Sequence, residues 1–364
     1  MRAATWSSCV AIVVALCCPV SAEVLYDVVP LKSILPPQGG EIKLIQDLND
    51  RGDMVGTWSR PREWGGGSSA FVYVNGQFVD LKPLAGRESS AMSINNLGQV
   101  VGNMSRKSGA QYISIPYLYH DGTFERLDAL CDPGADAFAI NDLGQVVGRA
   151  RYGEGAPPFL YTDGLITRLP TFGGTWGEAM DINNRGQIVG DAMASDNCHA
   201  FLYADGVMHD IGALLPYDFS TANAVNEAGQ VVGTYSSSYS FEWCAFLYED
   251  GRVIDLGHLG DLEYAVANDI NDAGQIVGKA DSAFLWTDGT MVDLNDLIDP
   301  GLEIRFRSAE AINNHGQILC YGKDNDYYLL TPLGERQHTP APAPALLVAG
   351  GLAALLARRC GRRR

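Results

Sequence analysis

One nine-residue turn recurs seven times along this chain, and its spacing leaves few folds open. The copies read LNDRGDMVG (48–56), INNLGQVVG (94–102), INDLGQVVG (140–148), INNRGQIVG (182–190), VNEAGQVVG (225–233), INDAGQIVG (270–278) and INNHGQILC (312–320). Between successive Asn residues (Asn49, Asn95, Asn141, Asn183, Asn226, Asn271, Asn313) the steps are 46, 46, 42, 43, 45 and 42 residues. A period in the forties, built from short apolar runs, predicts a β-propeller or a related array.

Each repeat contains two hairpins. In the Asn-x-x-Gly turn the Asn side chain can bond to backbone two residues on, and the Gly supplies the positive φ that ends a type I turn with a bulge. The two residues between them differ from copy to copy (Asp-Arg, Asn-Leu, Glu-Ala, Asn-His), which predicts freely varying exposed tips. The second hairpin reads AFVYVNGQFVDL (70–81), PYLYHDGTFERL (116–127), PFLYTDGLITRL (158–169), AFLYADGVMHDI (200–211), AFLYEDGRVIDL (245–256) and AFLWTDGTMVDL (283–294). Asn-Gly or Asp-Gly between apolar runs is the strongest short-range hairpin signal. These strands are apolar on both sides, as in sheets covered on two faces.

We label the strands A and B around the second turn, C and D around the first. VLYDVVPL (24–31) then reads as a lone B strand and DYYLLTPL (326–333) as a lone A strand. Pairing them completes seven of each strand type. The prediction is an all-β, seven-bladed β-propeller of four-stranded blades, closed by its N- and C-terminal strands, which removes open edges. Blade order A-B-C-D and order C-D-A-B satisfy the count equally.

The seven Asn residues, and the Gln after the turn Gly (Gln99, Gln145, Gln187, Gln230, Gln275, Gln317), resemble a ring of ligands. A residue present in every blade is read as structural, because a binding site breaks the symmetry of its scaffold. Asp53 replaces the Gln in the first copy and Cys320 the final Gly in the last; terminal repeats are commonly atypical.

The chain carries 26 Lys plus Arg and 43 Asp plus Glu, a formal charge of −17. Residues 1–22 hold one Arg and residues 339–364 hold five, without acids, so the remainder carries 20 basic and 43 acidic groups, a charge of −23. Such a surface excludes nucleic acid as a partner, since phosphate binding needs a basic footprint.

Both ends read as targeting segments. Residues 1–22 place the apolar run CVAIVVALCC (9–18) after Arg2, and Val20 and Ala22 suit cleavage by signal peptidase before Glu23. Cys17 and Cys18 lack the preceding small residue that a lipoprotein signal carries, so ordinary secretion is expected. Residues 23–333 form the repeat domain, 334–344 a Pro/Ala-rich spacer, and 345–364 an apolar stretch (345–357) ending in an Arg cluster. Thirteen apolar residues are fewer than the roughly 20 that span a bilayer, and the Arg cluster would stay cytoplasmic. This end resembles the bacterial PEP-CTERM sorting tail, which implies an exosortase-type partner, membrane engagement before processing, and cleavage near Pro340, Pro342 and Pro344. Pro-Ala-Pro stands here where that motif has Pro-Glu-Pro.

The FLYxDG…DLGxLG…INxxGQVVG pattern over residues 24–333 resembles the HAF-repeat family of bacterial extracellular proteins, named for the tripeptide seen at His199-Ala200-Phe201. The resemblance implies a secreted or cell-surface location and no particular activity. Ser69, Ile115, Pro157, Cys244 and Ser282 stand at the His position elsewhere, so that side chain is not a required ligand.

Cys131, Cys198, Cys244 and Cys320 remain between the targeting segments. Export permits pairing, and Cys198 and Cys244, which precede A strands of consecutive repeats, are the candidate disulfide; buried free thiols are the alternative. No Cys-x-x-Cys, His-Glu-x-x-His, Gly-x-Ser-x-Gly or phosphate loop occurs. Asp-x-Asn-x-x-Gly at Asp47, Asp181 and Asp269 matches a calcium loop only in part, with no closing Glu. No catalytic residue and no cofactor is assigned. The expectation is a non-catalytic binding or matrix role toward an extracellular glycan, protein or polymer. The alternative is an extracellular hydrolase or lyase with a site at the propeller channel.

Overall fold

The computed structural model describes residues 25–334 except 34–39, 65, 82–87, 109–110, 128–131, 152–154, 195–196, 238–241 and 262–263. The processing residues Ala22, Glu23, Pro340, Pro342 and Pro344, the apolar stretch 345–357 and Cys131 lie outside the described residues. Among the described residues no helix is long and apolar enough to cross a membrane.

Among the described residues, twenty-eight strands form seven four-stranded antiparallel sheets. Blade 1 is β2 (Glu41–Leu48), β3 (Met54–Ser59), β4 (Ser68–Val74) and β5 (Gln77–Asp80); blade 2 is β6 (Ser89–Ile94), β7 (Val100–Ser108), β8 (Gln111–His120) and β9 (Thr123–Arg126). Blade 3 is β10 (Asp132–Ile140), β11 (Val146–Arg151), β12 (Pro158–Thr162) and β13 (Leu165–Arg168); blade 4 is β14 (Gly177–Ile182), β15 (Ile188–Met193), β16 (Cys198–Ala204) and β17 (Val207–Asp210). Blade 5 is β18 (Phe219–Val225), β19 (Val231–Ser236), β20 (Trp243–Glu249) and β21 (Arg252–Asp255); blade 6 is β22 (Val266–Ile270), β23 (Ile276–Lys279), β24 (Ala283–Thr287) and β25 (Thr290–Asp293). Blade 7 is β26 (Phe306–Ile312), β27 (Ile318–Gly322), β28 (Tyr327–Pro332) and, outermost, β1 (Tyr26–Pro30).

The two lone strands meet directly: β1 pairs with β28, from Tyr26 opposite Pro332 to Pro30 opposite Tyr328. The structure also decides the blade phase. Strand C is innermost and B outermost, so each blade runs C-D-A-B.

Both turns take the predicted geometry. At the Asn-x-x-Gly turns, φ of the Gly runs from +72° at Gly316 to +85° at Gly229. At the second hairpin the first turn residue has φ between +49° and +53° and its Gly between +76° and +83°, the type I′ pair that matches strand twist.

The remaining glycine of the repeat has a different cause. Gly190 of β15 sits opposite Ala179 of β14, where the inner strand bulges, and a Cβ there would lie 1.9 Å from the Glu178 carbonyl oxygen. On its other side Gly190 pairs with Phe201, which is fully buried. The aromatic ring fills the space the glycine leaves. In blade 7 this pair becomes Cys320 and Tyr328, both buried.

Apolar side chains fill the layers between blades. Val189, Ala200, Leu202 and Ile211 of blade 4 pack with Ala222, Val225, Val231 and Phe246 of blade 5. The closing layer joins Ile45, Leu48, Trp58 and Phe71 of blade 1 to Ala311, Leu319 and Tyr327 of blade 7. Because strands run antiparallel, all C–D and A–B turns lie on one regular face. The D–A and B–C connections, which differ in length and sequence, lie on the other.

Candidate functional site: the central channel

The regular mouth of the channel is rimmed by two rings of hydrogen bonds. In the first, each repeated Asn donates Nδ2 to the carbonyl of the next: Asn49 to Asn95, Asn95 to Asn141, and so on to Asn313, which donates to Asn49 at 3.0 Å across the chain ends. Each Oδ1 accepts from its own turn; Asn95 takes the amides of Leu97 (3.1 Å) and Gln99 (2.9 Å). Nδ2 of Asn95 also donates to Gln99 Oε1 at 2.7 Å. The repeated Asn and Gln are therefore structural, as expected.

The second ring corrects the expectation of a freely varying tip. The residue after each ring Asn (Asp50, Asn96, Asp142, Asn184, Glu227, Asp272, Asn314) accepts the backbone amide of its counterpart in the preceding blade, at 2.7 to 2.9 Å, and the circle closes from Asn314 N–H to Asp50. Only the following residue varies freely. The requirement is a side-chain carbonyl or carboxylate of the right reach, and the sequence shows it: only Asp, Asn and Glu occur there.

Asp53 in place of Gln is compensated locally. Asp53 accepts from Asn49 Nδ2 at 3.1 Å, and Arg51 donates to it at 2.9 Å while lying over Gly98, where a Gln side chain covers the turn Gly in the other blades.

Asp47 and Asp269 line a cavity of about 190 Å³ at this mouth, and Asp181 stands close enough to feel the Asp47 charge. None forms a calcium loop. Each carboxylate caps its own following amide and one of the next blade: Asp47 binds Leu48 and Ile94, Asp181 binds Ile182 and Val225, and Asp269 binds Ile270 and Ile312, at 2.7 to 2.8 Å. Among the described residues no group of three or more His, Cys, Asp or Glu is placed to hold a metal. Burial pushes all three carboxyls up, against the opposing amide bonds, and neighbouring Asp charges add to it at Asp181, which reaches about 6, and at Asp269, which reaches about 8.

This makes stability pH-dependent. Unfolded, these Asp residues ionise near pH 4, whereas the folded chain holds the proton up to about 6 on Asp181 and about 8 on Asp269. Within each window the unfolded state binds fewer protons, so stability falls as pH rises, by about 1.4 kcal/mol per unit and group, and levels off above the folded value. Asp269→Asn is expected to flatten the decline between pH 6 and 8 in denaturant titrations. An unchanged slope would show that Asp269 does not hold the proton.

Above the mouth every inner strand bulges at one common place, by Gln46, Met92, Phe138, Met180, Asn223, Asn268 or Glu310; β2, β10 and β26 have a second irregularity nearer their starts. The residue before the bulge is buried in the layer toward the preceding blade, and the bulged residue is half-exposed on the channel side. This belt is the channel's waist. In the sequence it shows only as one varying position between fixed ones.

Higher still, Arg149 of blade 3 makes ion pairs with Asp136 beside it and with Glu178 of blade 4. Asp191 lies opposite Glu178 in the β14–β15 register and accepts from Thr221 of blade 5 at 3.3 Å. Burial and the Glu178 charge push Asp191 up to about 7. This charged step links three blades.

His199 contacts Asp210 through Nδ1 at 3.0 Å, and Ser69 contacts Asp80 in the same way in blade 1, so this position ties the A and B strands together. The structure does not join Cys198 and Cys244. Both are free of a disulfide; Cys198 lies opposite Met193 in blade 4, and Cys244 opposite Tyr235 in blade 5. Burial pushes the Cys198 thiol up to about 11.

No known protein family matches the chain, and no curated protein matches it in sequence. Among solved structures it is similar to TolB from Acinetobacter baumannii, at 10% identity over 78% of this chain and 64% of that one, with a TM-score of 0.45. The chain thus spans a little under two thirds of the length of that structure. It is also similar to YCF48 bound to D1 peptide (11% identity, 84% of this chain and 96% of that one, TM-score 0.47) and to an ulvan lyase of polysaccharide lyase family PL25 (12%, 79% and 78%, 0.30). These likenesses carry nothing about activity. The blade count rests on the strand pairing itself, and by that pairing the protein is a seven-bladed β-propeller.

Proposed function

We propose that this is a secreted or cell-surface bacterial protein of the HAF-repeat kind, which binds an extracellular glycan, protein or polymer without transforming it. One observation carries the reading. The polar groups of the regular mouth are taken up in closing the ring, while symmetry breaks at the waist, at the charged step and in the connections of the opposite face. Scaffold positions are uniform and ligand positions are not. Export through the residue 1–22 signal and transient anchoring by residues 345–364, followed by cleavage near Pro340, Pro342 and Pro344, complete the proposal. Full-length protein with its tail intact in the soluble extracellular fraction of a host with an exosortase would refute the sorting step.

The hydrolase or lyase reading has one observation in its favour, the neighbouring Glu178 and Asp191 with raised proton affinities. Against it, Arg149 holds Glu178 in an ion pair and Asp191 is only 6% exposed. Incubating the secreted protein with extracellular polymer from its producing cells separates the two. Retention of intact polymer supports binding. Release of shortened polymer, abolished by Glu178→Gln and Asp191→Asn, would establish the enzyme instead.

A further inference from the structure

The waist divides into two unlike walls. Three consecutive blades contribute Met92, Phe138 and Met180; the other four contribute Gln46, Asn223, Asn268 and Glu310. In an inner strand that otherwise repeats closely, this partition gives the channel an apolar, polarisable side facing a hydrogen-bonding one.

The polar wall is also oriented. Asn223 donates Nδ2 to the Ala267 carbonyl and Asn268 donates Nδ2 to the Ala309 carbonyl, each at 2.8 Å. With the nitrogens engaged by the next blade, the two Oδ1 atoms remain as acceptors. Glu310 adds a carboxylate, so the wall accepts hydrogen bonds and asks its ligand for donors. Glu310 accepts a hydrogen bond from Ser308 and lies within reach of the Lys279 charge, which weakens its pull on a cationic ligand. The surrounding charge of −23 repels polyanions. What satisfies both walls is a neutral group with hydroxyl donors along one edge and a C–H face on the other. A pyranose ring has that shape.

We infer that the channel waist binds a neutral sugar residue of an extracellular glycan, its C–H face on Phe138 between Met92 and Met180 and its hydroxyls donating to Asn223, Asn268 and Glu310. The inference rests on the binding reading above and names its ligand class. Stacking on an aromatic face and hydrogen bonds from hydroxyls to fixed acceptors are each strong enough to be read by single substitutions.

The test titrates the secreted protein calorimetrically with neutral gluco-, galacto-, manno- and xylo-oligosaccharides, with an oligouronate and tetramethylammonium as anionic and cationic probes. At least one neutral series is expected to bind. Phe138→Leu and Glu310→Leu, each of which leaves an apolar side chain of accommodating size, are expected to weaken it about tenfold each. Leu143→Ser, at an exposed tip of the regular face, is expected to leave it unchanged, and thermal melts confirm that the variants fold. Neutral binding insensitive to both waist substitutions would overturn the site while leaving the binding reading intact. So would retention of native extracellular polymer with no neutral oligosaccharide bound, or tighter binding of either charged probe. If neither native polymer nor any oligosaccharide is retained, both readings fall.

Discussion

Removing residues 326–333 is expected to abolish the cooperative fold. Strand β28 lies between β27 and β1, so its loss also releases β1 and leaves blade 7 with two strands. Tyr327, Tyr328 and Leu330, all buried, leave with it, the first uncovering the layer against blade 1 and the other two the layer against blade 6. Each such side chain contributes roughly 1.5–3 kcal/mol by burial, against a net stability of about 5–15 kcal/mol for a whole domain. The exposed edge of β27 then becomes a template for pairing between molecules. Size-exclusion chromatography is expected to show aggregate and the thermal melt to lose its single transition. Removing β1 alone strips only the outermost strand and should cost less. A monomer with unaltered melting after loss of 326–333 would show that the chain ends do not hold the ring together.

Asn183→Ala is expected to destabilise the protein by about 3 kcal/mol or more, well beyond the effect of an outer-ring side chain. Asn183 accepts the amides of Arg185 and Gln187 at 3.0 Å each, and donates to the Asn226 carbonyl at 2.9 Å and to Gln187 Oε1 at 2.7 Å. It is 5% exposed. Truncation leaves turn amides and a carbonyl without partners, and each buried group left unpaired costs about 1–3 kcal/mol. Asn184→Ala, next to it, loses mainly the bond from the Asp142 amide at an exposed position and should cost about 1 kcal/mol or less. Denaturant unfolding of the two variants gives the comparison. Equal losses would mean that the inner ring contributes no more than the outer one.

The inner ring was legible in the sequence because its requirement is local. A side chain that must cap its own turn and reach the next blade has to be Asn in every copy. The outer ring needs only a side-chain acceptor, and Asp, Asn and Glu all supply one; chemical variety masked a fixed role. The waist was not legible. Its seven residues share no chemistry, and a bulge belongs to the pairing of two strands, which no single stretch of sequence displays.

By itself the sequence determined the strands, both turn types, the number of blades and the meeting of the chain ends. These follow from backbone preferences and hydrophobic period, which act over a few residues and repeat. Only the tertiary structure decided the blade phase, since C-D-A-B and A-B-C-D use the same turns and differ in which strand faces the axis. It also decided that Asp47, Asp181 and Asp269 are buried near one another at one mouth, which raises the proton affinity of all three through burial and of Asp181 and Asp269 through neighbouring charge as well. And it alone set Met92, Phe138 and Met180 across from Asn223, Asn268 and Glu310. Residues more than a hundred positions apart become neighbours around a channel because the ring closes, and closure is a property of the whole chain.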